Sequence, residues 1–157
     1  MTTDYSAPTR LVLTRAVRDE VVAHARAEYP NEAVGLLARR PDSGSVVMAI
    51  SLTNMAGPTA HMRAVVDRRA LKAAHRRLSD LGLEPAGAYH SHTTRIGARW
   101  SGVDALRAPL GEPQLIVSVR PDGLAAVLAW LARVDRCGMD ELPVELIDGR
   151  EPPGDDG

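Results

Sequence analysis

Two histidines one residue apart give the sequence its clearest chemical signal. His90 and His92 stand in the run Ala-Tyr-His-Ser-His, which predicts an extended, half-buried strand. Residues two apart in a strand point to the same face, so the two imidazole rings can bind one metal ion. Two histidines, a carboxylate from another element and an open position for water describe a hydrolytic zinc site rather than a structural one. The pair alone is a weak signal, because two such histidines can also be ordinary surface residues.

Two acidic residues can complete or assist this site. Asp104 follows Ser101 by three residues, which is typical of a helix cap in which the serine and the acid bond each other's backbone N–H groups. A ligand role is compatible with that cap, because a carboxylate in the first turn of a helix is fixed in direction and can reach an ion beside the neighbouring strand. Glu32 lies far upstream in Glu-Ala-Val-Gly-Leu-Leu, and by itself it would be interpreted as a loop glutamate.

The composition excludes several classes of function. The 157 residues carry 19 basic and 20 acidic side chains, and the net charge of −1 gives no electrostatic case for nucleic-acid binding. The single cysteine, Cys137, excludes a disulfide framework and any multi-cysteine zinc site. Residues 1–10 show no signal-peptide pattern. The longest apolar run, residues 124–132, is about half of a membrane span. We therefore expect a cytoplasmic protein with no nucleic-acid or membrane partner.

The order of elements predicts a mixed α/β (α+β) fold, with a central mixed sheet and flanking helices. We expect a single domain over residues 1–149 and a disordered tail over residues 150–157. One helix is predicted from the Thr14 cap to about Tyr29, a second between Asp67 and Gly82, and a short third from Ser101. Strands are predicted at residues 11–13, 33–38, 45–52, 64–66, 86–92, 114–120 and 142–147. Residues 124–134 fit a helix or a strand equally well.

The site residues together resemble the JAMM, or MPN-plus, metalloprotease family. That family's pattern is a glutamate, a distant His-x-His and a Ser-x-x-Asp, and the resemblance covers residues 11–147. The compact length is similar to the prokaryotic branch. The family's fold, which is related to that of cytidine deaminases, favours a strand over residues 128–134. The resemblance implies one Zn²⁺ per chain bound by His90, His92 and Asp104, with Glu32 as general acid/base and Ser101 as a hydrogen-bond donor to the transition state.

The loop between the second histidine and the aspartate departs from the family pattern by one residue. The family usually has ten residues there, whereas residues 93–103 number eleven, and Thr93 stands where proline is common. A loop absorbs an extra residue easily if it bulges before Ser101. We therefore expect that removing one loop residue, such as Gly97, leaves metal binding intact.

The resemblance also implies a substrate class. It indicates a zinc-dependent peptidase or isopeptidase that hydrolyses the amide bond at the C-terminal glycine of a small ubiquitin-like or sulfur-carrier protein. Such an enzyme releases an amino acid such as cysteine, or trims the carrier to its terminal Gly-Gly. Trp100, Arg95 and Arg99 surround the motif loop and can line a substrate groove, although packing of Trp100 on its own scaffold is equally compatible with the sequence. A homodimer is compatible with it as well.

Three other functions share parts of this pattern. A non-catalytic MPN-like scaffold would keep the fold for assembly, but it is expected to lose metal residues, and all five site residues are present. A zinc deaminase needs a Pro-Cys-x-x-Cys ligand pair, which one cysteine cannot supply. A zinc amidase acting on a small molecule stays open, because nothing in the sequence identifies the acyl side of the bond.

Overall fold

In the part of the chain that the structure describes, an eight-stranded mixed sheet packs with three α-helices, which confirms the predicted fold class. The computed structural model describes residues 7–123 and 125–149, so the predicted tail at residues 150–157 lies outside the described residues. The helices are α1 (Arg15–Glu28), α2 (Arg68–Asp80) and α3 (Gly102–Arg107). The strands are β1 (Leu11–Thr14), β2 (Val34–Arg39), β3 (Val46–Leu52), β4 (Glu84–His92), β5 (Gln114–Val119), β6 (Ala125–Ala132), β7 (Met139–Leu142) and β8 (Val144–Ile147). Their order across the sheet is β7-β6-β5-β4-β2-β3-β1-β8.

Helix α1 packs against one face of the sheet. The hydroxyl of Thr14 accepts a hydrogen bond from the Val17 N–H at 3.1 Å, so the helix begins where its sequence predicts. Val17, Val21 and Ala25 are buried, four residues apart on one side. Tyr29 lies beyond the end of the helix and is exposed. The buried side of α1 joins the largest hydrophobic cluster, which includes Leu13, Leu37, Val46, Tyr89, Leu115 and Val117.

Strand β4 divides its side chains between the two faces of the sheet. Tyr89 is buried in the cluster beneath α1, where its hydroxyl lies 2.7 Å from Nδ1 of His24. Burial raises the pKa of the Tyr89 phenol to about 12, so it stays protonated. Alternation then directs His90 and His92 to the opposite face. There α3 packs over a second apolar cluster that contains Ala105, Ala108, Ile116, Trp130, Ala132 and Met139.

The two edges of the sheet meet at Pro143. The predicted strand over residues 142–147 is confirmed for residues 144–147, which form β8, whereas β7 over residues 139–142 was not predicted. β7 pairs with β6, and β8 pairs with β1 at the other end of the sheet. A single residue, Pro143, separates them, and its carbonyl accepts a hydrogen bond from the Leu11 N–H at 2.9 Å. Proline has no N–H to donate, so the ladder changes partner at this position. The sheet therefore curls until its first and last strands are joined by continuous chain.

One predicted strand is absent, and the ambiguous segment is resolved. Residues 64–66 form no strand, because the Val65 N–H donates to the side chain of Asn54 rather than to a neighbouring strand. Residues 125–132 form strand β6, as the family resemblance implies, starting a few residues earlier than expected. No helix within residues 7–123 and 125–149 is long and apolar enough to cross a membrane.

The ring of Tyr89 packs so closely on β2 that only glycine fits at position 35. The two residues are register partners, and a β-carbon at Gly35 would overlap the Tyr89 ring and the carbonyl oxygen of Ile50. We expect Gly35→Ala to reduce the free energy of unfolding by about 1–3 kcal/mol, as overpacking does in other cores. The melting temperature should fall by roughly 2–4 °C for each kcal/mol in a domain of this size.

Gly102 offers the matched control for this stability measurement. A β-carbon at Gly102, the first residue of α3, would meet no atom within 4 Å, so Gly102→Ala should melt at the wild-type temperature or above it. Thermal denaturation followed by circular dichroism measures both variants. A Gly35→Ala protein as stable as Gly102→Ala would contradict the close packing of Tyr89 on β2.

Candidate metal centre

Strand β4, which carries the two candidate histidine ligands, lies between β2 and β5, close to the middle of the sheet. β4 runs antiparallel to β2 and parallel to β5, so His90 and His92 reach the carboxyl end of the parallel pair. His92 is 5% exposed, and His90 is partly buried. The period of two predicted that the rings share a face, and the structure brings their Nε2 atoms to 3.1 Å from each other.

Asp104 completes a compact group of three ligand atoms. Its Oδ1 lies 3.1 Å from Nε2 of His90, and its Oδ2 lies 3.3 Å from Nε2 of His92. Among the described residues, these three form the group that could hold a metal ion. Ligand atoms around a tetrahedral zinc ion, at bond lengths of about 2.0–2.1 Å, lie roughly 3.3 Å apart. The two Nε2 atoms are at about that separation, each has one oxygen of Asp104 close to it, and three protein ligands would leave a fourth position open.

A capping box at the start of α3 fixes Asp104. The Ser101 N–H donates to Oδ2 of Asp104 at 2.7 Å, and the Asp104 N–H donates to the Ser101 hydroxyl at 3.2 Å. The capping interpretation of Ser-x-x-Asp is therefore confirmed, and it leaves the ligand interpretation possible for the same aspartate. Burial alone raises the pKa of Asp104, but hydrogen bonds from His90 and His92 outweigh it and hold the pKa well below its usual range. The carboxylate is thus ionised, as a metal ligand must be.

The same cap leaves the hydroxyl hydrogen of Ser101 free to be donated elsewhere. In the cap, the Ser101 oxygen is an acceptor, and a hydroxyl keeps one O–H donor in addition to its lone pairs. Ser101 is partly buried and three residues from Asp104, so this donor lies at the edge of the group. The position is compatible with the donor role that the family resemblance implies.

Glu32 reaches the group through strand pairing. The antiparallel register pairs Val34 with His90, so Glu32, two residues earlier, lies at the level of His92. Glu32 is 8% exposed, and it is close enough to His90, His92 and Asp104 for their charges to affect its ionisation. Burial raises the pKa of Glu32 above its ordinary value, and the two histidines offset this only in part. A raised pKa makes the carboxylate a better proton acceptor near neutral pH.

Glu32 is separate from the ligand group itself. The three ligand atoms belong to His90, His92 and Asp104, and Glu32 is not a member of that group. Within the described part of the chain, the hydrogen bonds of Glu32 involve its backbone, so its carboxylate is available to a water molecule or a substrate. This placement is compatible with the general acid/base role that the family resemblance implies for Glu32.

Comparison with known proteins assigns the family. Residues 14–133 match the family model described as prokaryotic homologs of the JAB domain. The chain belongs to the prokaryotic JAB family. A JAB1/MPN domain protein from Archaeoglobus fulgidus shares the fold at 19% sequence identity and a TM-score of 0.58, with 88% of this chain and 100% of that chain covered. The resemblance drawn from the sequence motif is confirmed at the level of the JAB/MPN family.

Two solution structures from bacteria are also similar. A protein from Desulfitobacterium hafniense is 29% identical with a TM-score of 0.75, and a protein from Salinibacter ruber is 29% identical with a TM-score of 0.66. Each comparison covers 90% of this chain and 95% of the other. A search of curated proteins gave no match.

The longer loop of this JAB domain does not displace the aspartate. Asp104 contacts both histidines although eleven residues separate it from His92. Gly97 has a positive φ of 69°, and its carbonyl oxygen lies 3.0 Å from Nδ1 of His92. An N–H donated from Nδ1 leaves the Nε2 lone pair for a metal. Gly97 is therefore a poor choice for the deletion that the sequence suggested, because its carbonyl orients a ligand.

The electrostatic surroundings of His92 agree with a strongly polar site. Burial lowers the pKa of His92, but the hydrogen bond and the charge of Asp104 outweigh it, and the net pKa lies above its ordinary value. A cation bound by the three ligands would take the place of that proton, because a histidine ligand must be neutral.

The three candidate substrate residues lie in different surroundings. Trp100 is partly buried against the cluster beneath α3 and approaches Gly138, so it packs on its own scaffold. Arg95 is exposed and lines a cleft of about 770 Å³ together with Thr93, Thr94 and Arg120. Arg99 is exposed and is not among the residues that line this cleft. Their roles in binding a substrate stay predictions.

Two residues that the sequence interpretation missed also support the site. Ser91 is fully buried between the two histidines, where its hydroxyl accepts the Ala33 N–H at 2.7 Å and ties β4 to the segment after Glu32. Asn54 follows β3 and makes several hydrogen bonds around Glu32. An asparagine three residues before Gly57-Pro58 is consistent with a turn, so Asn54 could have been noted, although its partners could not.

Proposed function

We propose that this JAB domain is a zinc-dependent peptidase or isopeptidase. Its substrate would be an amide bond at the C-terminal glycine of a small ubiquitin-like or sulfur-carrier protein, with release of an amino acid such as cysteine or trimming to Gly-Gly. The observation that carries the proposal is the group of His90, His92 and Asp104, with Glu32 beside it but outside the ligand set. A non-catalytic scaffold has no need of a buried, unligated carboxylate at that position.

The residues around the group match the tasks of amide hydrolysis. Zinc held by the three ligands would lower the pKa of a water molecule toward about 7 and polarise the scissile carbonyl. Glu32 would accept a proton from the attacking water and later deliver it to the departing amine. The free hydroxyl hydrogen of Ser101 would donate to the oxyanion of the tetrahedral intermediate, a contact that contributes on the order of 3 kcal/mol in comparable sites. The reaction needs no covalent bond to the protein.

The cleft beside the metal strand supports an extended, positively guided substrate tail. It begins at Thr93, directly after His92, and its lining includes Arg95 and Arg120, of which Arg120 is paired with Asp122 at 3.5 Å. A peptide tail can bind extended in such a cleft, and the carboxylate of the residue beyond the scissile bond would be attracted by the guanidinium group of Arg95. We propose a cytoplasmic setting for this reaction.

The proposal predicts metal-dependent removal of a short extension from a carrier. A small ubiquitin-like or sulfur-carrier protein extended by one or more residues past its Gly-Gly would be incubated with zinc-loaded protein and followed by intact mass. The mass should fall by that of the extension, a chelator should stop the reaction, and added zinc should restore it. Full zinc occupancy without cleavage of any such carrier would refute the peptidase proposal and favour a scaffold or a small-molecule amidase.

A further inference from the structure

Asn54 organises the loop that covers Glu32. It lies two residues after the end of β3, in the loop that runs to Asp67. Its side-chain Nδ2 donates to the carbonyl oxygens of Glu32 at 2.9 Å, Ala60 at 3.3 Å and Arg63 at 2.9 Å. Its Oδ1 accepts the N–H groups of Ala56 at 3.1 Å and Val65 at 3.0 Å. One carboxamide therefore connects four points of the loop to Glu32.

This loop holds the backbone of Glu32 from both sides. The Glu32 N–H donates to the Ala60 carbonyl at 2.7 Å, and the Glu32 carbonyl accepts from Asn54. The loop also contacts the metal strand, because the hydroxyl of Thr93 donates to the His61 carbonyl at 3.1 Å. Asn54 therefore organises a loop that contacts Glu32 at one point and Thr93, the residue after His92, at another.

Glu32 needs this support because it lies outside the sheet ladder. Strand β2 begins at Val34, so no strand hydrogen bonds fix the backbone of Glu32. Its carboxylate has no hydrogen bond to another side chain in the described residues, so its direction depends on where its backbone is held. A general base must lie within hydrogen-bond reach of the water that it deprotonates.

We propose that Asn54 is a positioning residue, which fixes the backbone of Glu32 so that its carboxylate faces the metal group. The inference rests on the proposed function, since it assigns Asn54 a share in the same reaction. Misplacing a catalytic group by about 1 Å can cost roughly 10²-fold in rate. Asn54 would act through Glu32, since its side-chain hydrogen bonds include the Glu32 carbonyl and none of the three candidate ligand residues.

Asn54→Ala and Asn54→Asp test the proposal, with Asn31→Ala and Asn31→Asp as matched controls. The sequence contains only these two asparagines, and Asn31 is exposed and next to Glu32 in the chain. With equal zinc content, both Asn54 variants should lose about 10- to 100-fold in kcat with little change in KM. The Asn31 variants should match wild type. In a Glu32→Gln background, Asn54→Ala should cause no further loss, because residues that act as a unit are not additive.

Two results would overturn the proposal, and they differ from failure of the proposed function. If Asn54→Ala lowers only the melting temperature and keeps the wild-type kcat, Asn54 merely folds the loop. If the loss in kcat caused by Asn54→Ala adds in full to the loss caused by Glu32→Gln, Asn54 does not act through Glu32. If wild type cleaves no carrier, the proposed function fails, and hydrogen exchange decides the role of Asn54. Faster exchange of the Glu32 and Val65 amides in Asn54→Ala than in Asn31→Ala would then support the connection, and equal exchange would overturn it.

Discussion

Glu32→Gln should keep its zinc and its fold and lose most of its turnover. The amide has the same shape as the carboxylate but cannot accept the proton of an attacking water. Positioned acid/base groups commonly contribute about 10²- to 10⁴-fold, so the loss in kcat should lie in that range. The zinc content should be unchanged because Glu32 is not a member of the ligand group. Intact-mass kinetics on the extended carrier and elemental analysis of the same samples measure the two quantities.

Glu141→Gln is the matched control for this experiment. Glu141 is exposed on β7, at the edge of the sheet, and the substitution makes the same change in charge and shape. Its kcat, KM and zinc content should equal those of wild type. Turnover by Glu32→Gln at the level of Glu141→Gln would refute the assignment of Glu32 as general base. A loss of zinc in Glu32→Gln would instead make Glu32 a ligand.

The ligand pair could be predicted from the sequence because its geometry is local. His90 and His92 lie two apart in an apolar run, and the period of a strand alone places both rings on one face. Ser101 and Asp104 are likewise a local signal, since a capping box needs only the first turn of a helix. The Thr14 and Asp67 caps were found for the same reason. In each case the interacting atoms are separated by three residues or fewer.

The rest of the site depends on contacts between distant segments. Glu32 approaches the group because β2 pairs with β4 in a register that places Val34 opposite His90. Neither the segment around Glu32 nor the His-x-His segment predicts that register. The motif resemblance, rather than periodicity, brought Glu32 into the prediction. Gly97 could not be recognised as the residue that orients His92, because a glycine in a loop shows only that an unusual φ is tolerated. Asn54 has partners up to 22 residues away.

The errors in the predicted sheet have a common cause. Apolar, β-branched residues at 64–66 and across 142–147 suggested continuous strands, but hydrogen-bond partners decide where a strand exists. Val65 gives its N–H to Asn54, and Pro143 has none to give, so the first run is irregular and the second is interrupted at residue 143, where β7 ends and β8 begins. The composition of a segment indicates whether it suits a half-buried strand, whereas its hydrogen-bond pairing depends on the whole fold.

His92→Ala should abolish zinc binding and the stability that zinc supplies. Wild type is expected to carry close to one zinc per chain, held by ligands from β4 and α3. Because the ion joins separate elements, it should stabilise the native state by about 3–4 kcal/mol when free zinc exceeds the dissociation constant roughly 100- to 1,000-fold. At about 2–4 °C for each kcal/mol, removing zinc should lower the melting temperature by roughly 10 °C.

The comparison with a chelator separates metal binding from packing, since His92 also contacts Gly97. A chelator should destabilise wild type and His75→Ala equally, because His75 is exposed on α2 and takes no part in the group. His92→Ala should melt at the same temperature with and without chelator, whatever its loss from packing. Its turnover should fall at least as far as that of Glu32→Gln, since the site loses its ion as well as its geometry. Undiminished zinc in His92→Ala, or a wild-type protein whose melting the chelator does not change, would show that these three residues are not the ligands of a stabilising metal ion.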